Sequence, residues 1–154
     1  QKVLQMLEEI GTPDNAEEYV DQRLANKEVI WGMGHREYST KDPRATILQG
    51  LMDQFMEARG GDINPLFEVA KAVEVVCEDR LAKKGVYANV DFYSGLLYSE
   101  MGIPADQFTT IFAIARSAGW LAHWREQLAD NRIFRPTQVY TGEPQRKYVA
   151  IDKR

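Results

Sequence analysis

Residues 64–85, NPLFEVAKAVEVVCEDRLAKKG, carry the helical pattern that decides the class of fold. Apolar side chains recur there every three or four positions, which places them on one face of an α-helix. The residues on this face are Leu66, Ala70, Val73, Cys77 and Leu81. Lys83 and Lys84 follow at the C-terminal end, where the helix dipole favours cations, and Gly85 ends the helix. The stretch therefore predicts a long amphipathic helix over about residues 64–84.

Similar patterns recur on both sides of this helix, so we predict an all-α fold of six helices. The first includes the start of the chain and ends at Gly11, and the second begins at a cap on Asp14 or Asn15 and ends near residue 26. The third begins after an N-cap at Asp42, with Pro43 in the first position, and ends at RGGD, residues 59–62. The fourth, fifth and sixth helices are predicted over residues 64–84, 89–102 and 105–130.

Two of these helices carry specific expectations about burial. The third is expected to bury one face, formed by Ile47, Leu48, Leu51, Met52 and Phe55. The sixth is apolar on most sides, which is typical of a helix at the centre of a core or of an interface. Residues 131–154 show no helical period and contain Pro136, Gly142 and Pro144, so we expect an irregular, extended tail.

Composition excludes several classes of protein. The formal net charge is -4 and no dense run of lysine and arginine occurs, which argues against a nucleic-acid partner. No apolar run approaches the roughly 20 residues of a membrane helix, so no membrane partner is expected. Cys77 is the only cysteine, which excludes an internal disulfide framework and predicts a reducing, cytoplasmic location. Cys77 itself is expected to be inert core.

The chain begins QKVLQMLEEIG, without methionine and already in helical spacing. We therefore expect the first residue to lie inside a helix and the chain to be a fragment of a longer polypeptide. Its 154 residues suit one compact domain or a piece of a larger one.

Residues 32–45, GMGHREYSTKDPRA, hold the first candidates for chemistry. His35 follows two glycines, so it could approach a ligand closely and exchange a proton near neutral pH. The alternative is a histidine bonded to loop carbonyls. Arg44 follows the Asp42 cap, where a helix N-terminus and a guanidinium together suit a small organic anion. The alternative is a simple pair between Arg44 and Asp42 or Glu37.

Three further residues are candidates with equally plain alternatives. Asp91, near the start of the fifth helix, is a helix-capping residue or a general base whose pKa burial would raise. Arg116, within the apolar sixth helix, needs a buried acidic partner or an anionic ligand. Arg135 in FRPT is a solvated loop residue or a further ligand contact. His123 has Glu126 three residues on, but without further carboxylates we expect a packed or hydrogen-bonded core histidine and no metal site.

The order of four motifs is more specific than any one of them. GMGHREYSTKDPRA (32–45), NVDFYSG (89–95), FAIARSAGWLAHWREQ (112–127) and RIFRPTQVYTG (132–142) together resemble the C-terminal part of citrate synthase. The resemblance covers essentially the whole chain. It implies a multi-helical, citrate-synthase-like fold. It also implies the condensation of acetyl-CoA with oxaloacetate, the entry step of the tricarboxylic acid cycle, without metal or redox cofactor.

The resemblance also implies a role for each candidate residue. His35 matches the histidine that polarises the oxaloacetate ketone, and Asp91 matches the aspartate that removes a methyl proton from acetyl-CoA. Arg44 and Arg116 match arginines that hold oxaloacetate carboxylates. Arg135 matches an arginine that reaches the substrate site of the partner subunit in a homodimer. A carbonyl that becomes an alkoxide needs a hydrogen-bond donor, and a weakly acidic thioester needs a positioned base.

One residue of the family pattern is absent from the chain. A second catalytic histidine, in a His-Gly-Gly-Ala segment, precedes the stretch that resembles residues 1–10, and His123 does not lie in that motif. We therefore expect the chain to be inactive alone. By resemblance, residues 1–29 belong with a missing N-terminal large domain and 30–120 form the small, substrate-closing domain. Residues 121–154 return to the large domain and form the tail.

Two alternatives stay open. The motifs fit 2-methylcitrate synthase equally well, because one methylene changes acyl-CoA discrimination by only about 1 to 3 kcal/mol. A non-catalytic helical interaction module that kept the fold is the alternative from another class, and it predicts no binding of oxaloacetate.

Overall fold

The computed structural model describes residues 1–60, 64–133 and 139–154. Its helices are α1 (Lys2–Ile10), α2 (Ala16–Ala25), α3 (Pro43–Ala58), α4 (Pro65–Leu81), α5 (Val90–Glu100) and α6 (Phe108–Ala129). Short 3-10 turns cover Pro13–Asn15, Ala82–Lys84, Ala105–Gln107 and Ile151–Lys153. The described ranges contain no strand beyond an isolated bridge between Met33 and Ala88. The all-α prediction is confirmed.

The helix ends follow local signals in the sequence. Gly11, Gly85 and Gly102 have positive φ angles of 74°, 70° and 75°, which glycine adopts without steric cost, and each lies just beyond the end of a helix or 3-10 turn. Asp42 is the N-cap of α3, and its carboxylate accepts a hydrogen bond from the Arg44 amide at 2.9 Å. Asn89 caps α5 in the same way.

The chain divides into two compact units, Gln1–Ala115 and Arg116–Arg154. In the first unit, α4 packs against α1, α2 and α5, and α5 packs against α3. The predicted α4 face is buried at Ala70, Val73, Cys77 and Leu81, as expected from its spacing, whereas Leu66 is half-buried. The second unit contains the C-terminal part of α6 and the chain beyond it. The predicted domain boundaries at residues 30 and 121 stay predictions.

The expected face of α3 is wrong in part. Met52 is buried as predicted, but Ile47 is 62% exposed and Leu51 is also exposed. The side of α3 that faces the core instead carries Ala45, Met52 and Met56, and these three residues are buried. Apolar residues occur on both sides of α3, so periodicity alone could not select the buried one.

α6 was expected at the centre of a core or of an interface; it is not buried within this chain, and the interface stays a prediction. Among the residues of α6 only Phe108 is buried, and Trp120, Leu121 and Trp124 are each more than half exposed. His123 was expected to be a packed or hydrogen-bonded core histidine. Its Nδ1 lies 3.3 Å from Glu126 Oε2, but its side chain is 83% exposed, so it is not a core residue. The described residues hold no group of three or more His, Cys, Asp or Glu side chains able to bind a metal ion.

No helix in the described part of the chain is long and apolar enough to cross a membrane.

Candidate active site

The loop that carries His35 lies directly against the segment that leads into α5. The Gly34 amide donates to the Tyr87 carbonyl at 2.7 Å, and the Asn89 amide donates to the Gly32 carbonyl at 2.9 Å. These bonds flank the antiparallel bridge between Met33 and Ala88. The pairing brings the residue after Gly34, which is His35, close to the start of the helix that carries Asp91.

The two glycines of the loop serve this pairing in different ways. Gly32 and Gly34 have φ angles of 84° and 85°, a region that residues with a Cβ rarely adopt. A Cβ on Gly32 would also lie 2.8 Å from Cδ2 and 3.0 Å from Cα of Phe92. A Cβ on Gly34 would meet only Val86 Cγ1, at an ordinary 3.7 Å. Gly32 is therefore required both for its conformation and for the close approach of the loop to α5.

His35 is held by backbone amides. Its Nδ1 atom accepts hydrogen bonds from the amides of Glu37 at 3.0 Å and Tyr38 at 3.2 Å, and its ring stacks on Tyr38 at 4.5 Å. The alternative of a histidine bonded to loop carbonyls is therefore wrong. Because Nδ1 is an acceptor in both bonds, the neutral ring carries its proton on Nε2. The exposed edge of His35 thus presents an N–H donor.

Arg44 is oriented by the carboxylate that caps its own helix. Asp42 Oδ1 accepts from Arg44 Nε at 3.0 Å, and Oδ2 accepts from Nη2 at 2.7 Å. These bonds, with those of the Arg44 and Val90 amides, hold the pKa of the buried Asp42 below its ordinary value. They also raise the pKa of Arg44. The alternative of a pair between Arg44 and Asp42 is thus present, and it leaves Nη1 of the fork outside the Asp42 contacts.

Asp42 also joins the two helix starts of the site. Its backbone amide donates to the Ala88 carbonyl at 3.4 Å, just before the cap of α5, while its carboxylate caps α3. Arg44 consequently lies within electrostatic range of Asp91 and Tyr38, both of which raise its pKa. The loop that carries His35, the start of α3 with Arg44 and the start of α5 with Asp91 therefore adjoin one another in the first unit.

Asp91 occupies the first turn of α5 and is not the residue that caps it. The cap is Asn89, whose Oδ1 accepts from the Asp91 amide at 2.9 Å. Phe92 and Tyr93, the next two residues, are fully buried and anchor the helix, whereas Asp91 is exposed. The burial that sequence reasoning offered as the cause of a raised pKa is therefore not found in this chain.

Neither of the other two candidate arginines belongs to the described part of the first unit. Arg116 is an exposed residue of α6 and belongs to the second unit. Its Cδ lies beside Gly119, where an added Cβ would meet it at an ordinary contact distance of 3.7 Å. Arg135 lies outside the described residues. Their contacts with oxaloacetate stay predictions.

Sequence reasoning missed the residues that hold the site together. Asn89 donates from Nδ2 to the Gly34 carbonyl at 2.8 Å, and its place before Val-Asp at a helix start was a usable capping signal. Glu74 is buried on α4 and bonds to Tyr93 of α5 and Lys41 of the loop. A charged residue within an apolar stripe was the signal for Glu74, but the sequence did not show its partners.

Comparison with known proteins gives a consistent result. Residues 1–137 match the family model for the C-terminal domain of citrate synthase. A citrate synthase from Acidithiobacillus ferridurans is 60% identical over 154 residues, which is all of this chain and 40% of that protein. The crystal structure of citrate synthase from Thermotoga maritima MSB8 has a TM-score of 0.75 at 41% identity, covering 99% of this chain and 41% of that one.

A second solved structure holds ligands. It is a ternary complex of carboxymethyl coenzyme A and oxaloacetate with citrate synthase from Thermoplasma acidophilum, with a TM-score of 0.77 and 33% identity. The match covers 99% of this chain and 41% of that one. The chain thus spans about 40% of the length of these relatives. Because the family model covers all but the last residues, the chain belongs to the citrate synthase family.

Proposed function

We propose that this chain is the C-terminal part of a longer polypeptide, the full-length enzyme, which condenses acetyl-CoA with oxaloacetate and water to give citrate and CoA. The observation that carries the proposal is that the His35 loop, the start of α3 with Arg44 and the start of α5 with Asp91 adjoin one another. The family match and the relative solved with oxaloacetate and a CoA derivative support the choice of substrates.

The reaction needs a base, a donor and sites for charge. Asp91 takes a proton from the methyl group of acetyl-CoA, and the resulting carbanion attacks the ketone carbon of oxaloacetate. The ketone oxygen gains negative charge, which the Nε2–H of His35 stabilises by a hydrogen bond. The alkoxide takes up a proton to become the hydroxyl of citryl-CoA, and water then cleaves the thioester, so that citrate and the free CoA thiol leave. The exposed Asp91 carboxylate is available to a substrate in this chain.

Oxaloacetate carries two carboxylates, and a planar guanidinium matches a carboxylate with two parallel hydrogen bonds. Arg44 offers the Nη1 edge of a fork that Asp42 already orients, so little ordering is left for the ligand to impose. Arg116 is assigned the second carboxylate. Arg135 is assigned to the substrate site of the partner subunit in a homodimer. No resident cofactor is required, since the CoA thioester is itself a substrate.

The test is release of the CoA thiol from acetyl-CoA when oxaloacetate is added. We expect release by the full-length enzyme and none by the 154-residue chain, which lacks the His-Gly-Gly-Ala segment. Absence of release by the full-length enzyme contradicts the proposal. Titration calorimetry with oxaloacetate separates the non-catalytic alternative, which predicts no binding and no effect of Arg44→Ala. The cytoplasmic location stays a prediction from the single cysteine.

The acyl-CoA substrate is tested by the same assay. We expect the ratio kcat/KM to favour acetyl-CoA over propionyl-CoA. The reverse preference would assign the enzyme as a 2-methylcitrate synthase, which uses the same residues. His35, Arg44 and Asp91 would serve both substrates equally, and the preference for acetyl-CoA follows from the similarity to citrate synthases.

A further inference from the structure

Glu74 is a buried carboxylate that the proposed reaction does not use. It lies on α4 beside Val73, in the middle of the apolar stripe, and is 5% exposed. A carboxylate in such surroundings loses the hydration that it has in water, so it requires partners that replace the lost interactions. Two partners are present, and they come from two different segments of the chain.

The first partner is Lys41, whose Nζ lies 2.7 Å from Glu74 Oε1. Apart from this ion pair, no described residue donates a hydrogen bond to Oε1, so the lysine ammonium is what balances the charge of this oxygen. Lys41 also donates to Gln49 Oε1 on α3 at 3.2 Å. The lysine is thereby held between α3 and α4, immediately before the Asp42 cap.

The second partner is Tyr93, which donates its O–H to Glu74 Oε2 at 2.5 Å. Tyr93 is fully buried, and burial together with this bond to Glu74 raises the pKa of its hydroxyl. Tyr93 follows Asp91 by two positions on α5. One carboxylate on α4 therefore contacts both segments that carry the candidate catalytic groups.

We propose that Glu74 is a positioning residue that fixes the loop carrying His35 relative to Asp91, acting through Lys41 on one side and Tyr93 on the other. The proposal rests on the proposed function for its effect on rate. The three residues are called the Glu74 cluster below. The backbone pairing at Gly32 and Gly34 holds the N-terminal end of the loop, and the Glu74 cluster holds its C-terminal end.

Stability alone does not account for this arrangement. An apolar side chain of similar volume at position 74 would pack into the core without desolvating a charge, and such replacements of buried ion pairs are often neutral or stabilising. An ion pair and a hydroxyl bond are instead directional, so they select one position of the loop. A displacement of about 1 Å in reacting groups can cost roughly 100-fold in rate.

The test compares Lys41→Met, Glu74→Gln and the double variant in the full-length enzyme. We expect each single variant to lower kcat roughly 10- to 100-fold. The double variant should be no slower than the slower single variant, because both changes break the same link. Lys41→Arg should restore most of the rate. Hydrogen exchange of amides 33–41 should become faster in both single variants.

The matched control is Lys71→Met. Lys71 pairs with Asp53 and Glu68 at 3.3 and 3.4 Å, and its side chain is 35% exposed against 27% for Lys41. Its ion-pair partners lie on α3 and α4 and not in the loop, so we expect an unchanged kcat and unchanged exchange at amides 33–41. Should Glu74→Gln fail to fold, Lys41→Met and Lys41→Arg still decide the question, because Lys41 is partly exposed.

Several results would overturn the proposal. One is a double variant whose loss is the product of the two single losses. Another is unchanged exchange at amides 33–41 in Lys41→Met. A third is a rise in KM for acetyl-CoA in Lys41→Met that Glu74→Gln does not reproduce, because Lys41 would then contact the substrate. If the unaltered enzyme releases no CoA, the proposed function fails, whereas the exchange data still decide whether Glu74 fixes the loop.

Discussion

Asn89 joins the two halves of the candidate site with a single side chain. Its Nδ2 donates to the Gly34 carbonyl at 2.8 Å, and its Oδ1 accepts from the Asp91 amide at 2.9 Å. The residue before His35 and the candidate base are thus bonded to opposite ends of one amide group. An amide is the side chain that offers a donor and an acceptor together, which explains asparagine at this position.

We predict that Asn89→Ala loosens the loop and lowers the rate, beyond the cost of losing a helix cap. The matched control is Asn64→Ala, because Asn64 caps α4 with the same kind of bond, to the Leu66 amide at 2.9 Å. Each change should cost about 1 kcal/mol in the free energy of unfolding as a lost cap. Only Asn89→Ala should reduce kcat and speed hydrogen exchange of Gly34 and His35. Equal effects of the two variants on kcat would contradict this assignment.

The two glycines of the loop predict unequal costs for the same substitution. Gly32→Ala and Gly34→Ala both force alanine to a φ near 85°, which costs about 1 to 2 kcal/mol. Gly32→Ala also places its Cβ within 3.0 Å of the Phe92 Cα, so the loop must move away from α5. We expect Gly32→Ala to be the more destabilising in urea unfolding and to lower kcat further. A smaller loss for Gly32→Ala than for Gly34→Ala would show that the close approach to Phe92 is not required.

Cys77 predicts how stability depends on pH in alkaline solution. Burial raises the pKa of its thiol from 9.0 to about 12. Between these values the unfolded state has lost the proton and the folded state keeps it, so stability falls as pH rises. The slope from this group is up to about 1.4 kcal/mol per pH unit. Tyr93, whose pKa is also raised by burial and by Glu74, acts in the same direction at higher pH.

The measurement is urea unfolding of the 154-residue chain at several pH values from 8 to 11. Cys77→Ala leaves a small cavity and lowers the overall level of stability, but it removes one of the groups that cause the slope. We therefore expect a shallower decline with pH in the variant than in the unaltered chain. Identical slopes would mean that the thiol is not shielded from water in the folded state.

The helix ends and the site motifs could be predicted because their signals are local. Glycine beyond a helix, and an aspartate followed by proline, act through the backbone of the same few residues. The buried side of α3 could not be predicted, because it depends on packing against α5, which lies about 40 residues further along the chain. Met52 is buried and Leu51 is exposed, although both are apolar. The pairing of residues 32–34 with 87–89 is non-local in the same sense.

The exposed face of α6 marks a different limit of sequence reasoning. Periodicity identified Trp120, Leu121 and Trp124 as apolar, and apolar side chains favour burial. The chain spans about 40% of its relatives, however, and pattern alone does not say which residues cover a face. The same limit applies to Asp91, whose hydrophobic neighbours Phe92 and Tyr93 are buried while the carboxylate is exposed.

The Asp42–Arg44 pair predicts effects on both affinity and acid stability. Arg44→Ala should raise KM for oxaloacetate at least tenfold, and Arg44→Lys should recover only part of this loss, because an ammonium lacks the planar fork. Asp42 is 1% exposed, so loss of its partner should also cost roughly 1 to 3 kcal/mol of folding stability at pH 7. The control is Arg146→Ala, whose pair with Glu143 at 3.0 Å has both side chains more than 70% exposed and should contribute little.

The dependence of stability on pH in acid solution follows from the direction in which the pKa of Asp42 is shifted. Hydrogen bonds from Arg44 lower the pKa of Asp42 in the folded state, so the stabilisation is complete above the ordinary value of 3.8 and is lost as pH falls through the folded value. The difference in unfolding free energy between the unaltered chain and Arg44→Ala should therefore shrink below about pH 4. A difference that stays constant from pH 7 to pH 3 would contradict the role of this pair.

The two nitrogens of His35 predict different outcomes for two amide replacements. His35→Asn places an acceptor near the position of Nδ1, so the amides of Glu37 and Tyr38 keep a partner, but no donor replaces Nε2–H. His35→Gln can place a donor near Nε2 but leaves the two amides without Nδ1.

We expect His35→Asn to preserve loop protection in hydrogen exchange while kcat falls by about 100- to 1,000-fold, the effect of removing one donor to a developing oxyanion. His35→Gln should speed hydrogen exchange at the amides of residues 37 and 38. Because its side chain still offers a donor, its kcat should fall less than that of His35→Asn. Glu37→Gln, which changes a neighbouring exposed side chain and leaves the backbone amide intact, is the control and should alter neither readout. If His35→Asn kept the unaltered kcat, the Nε2–H group would not be the donor to the ketone oxygen, and the role of His35 would be confined to the fold of its loop.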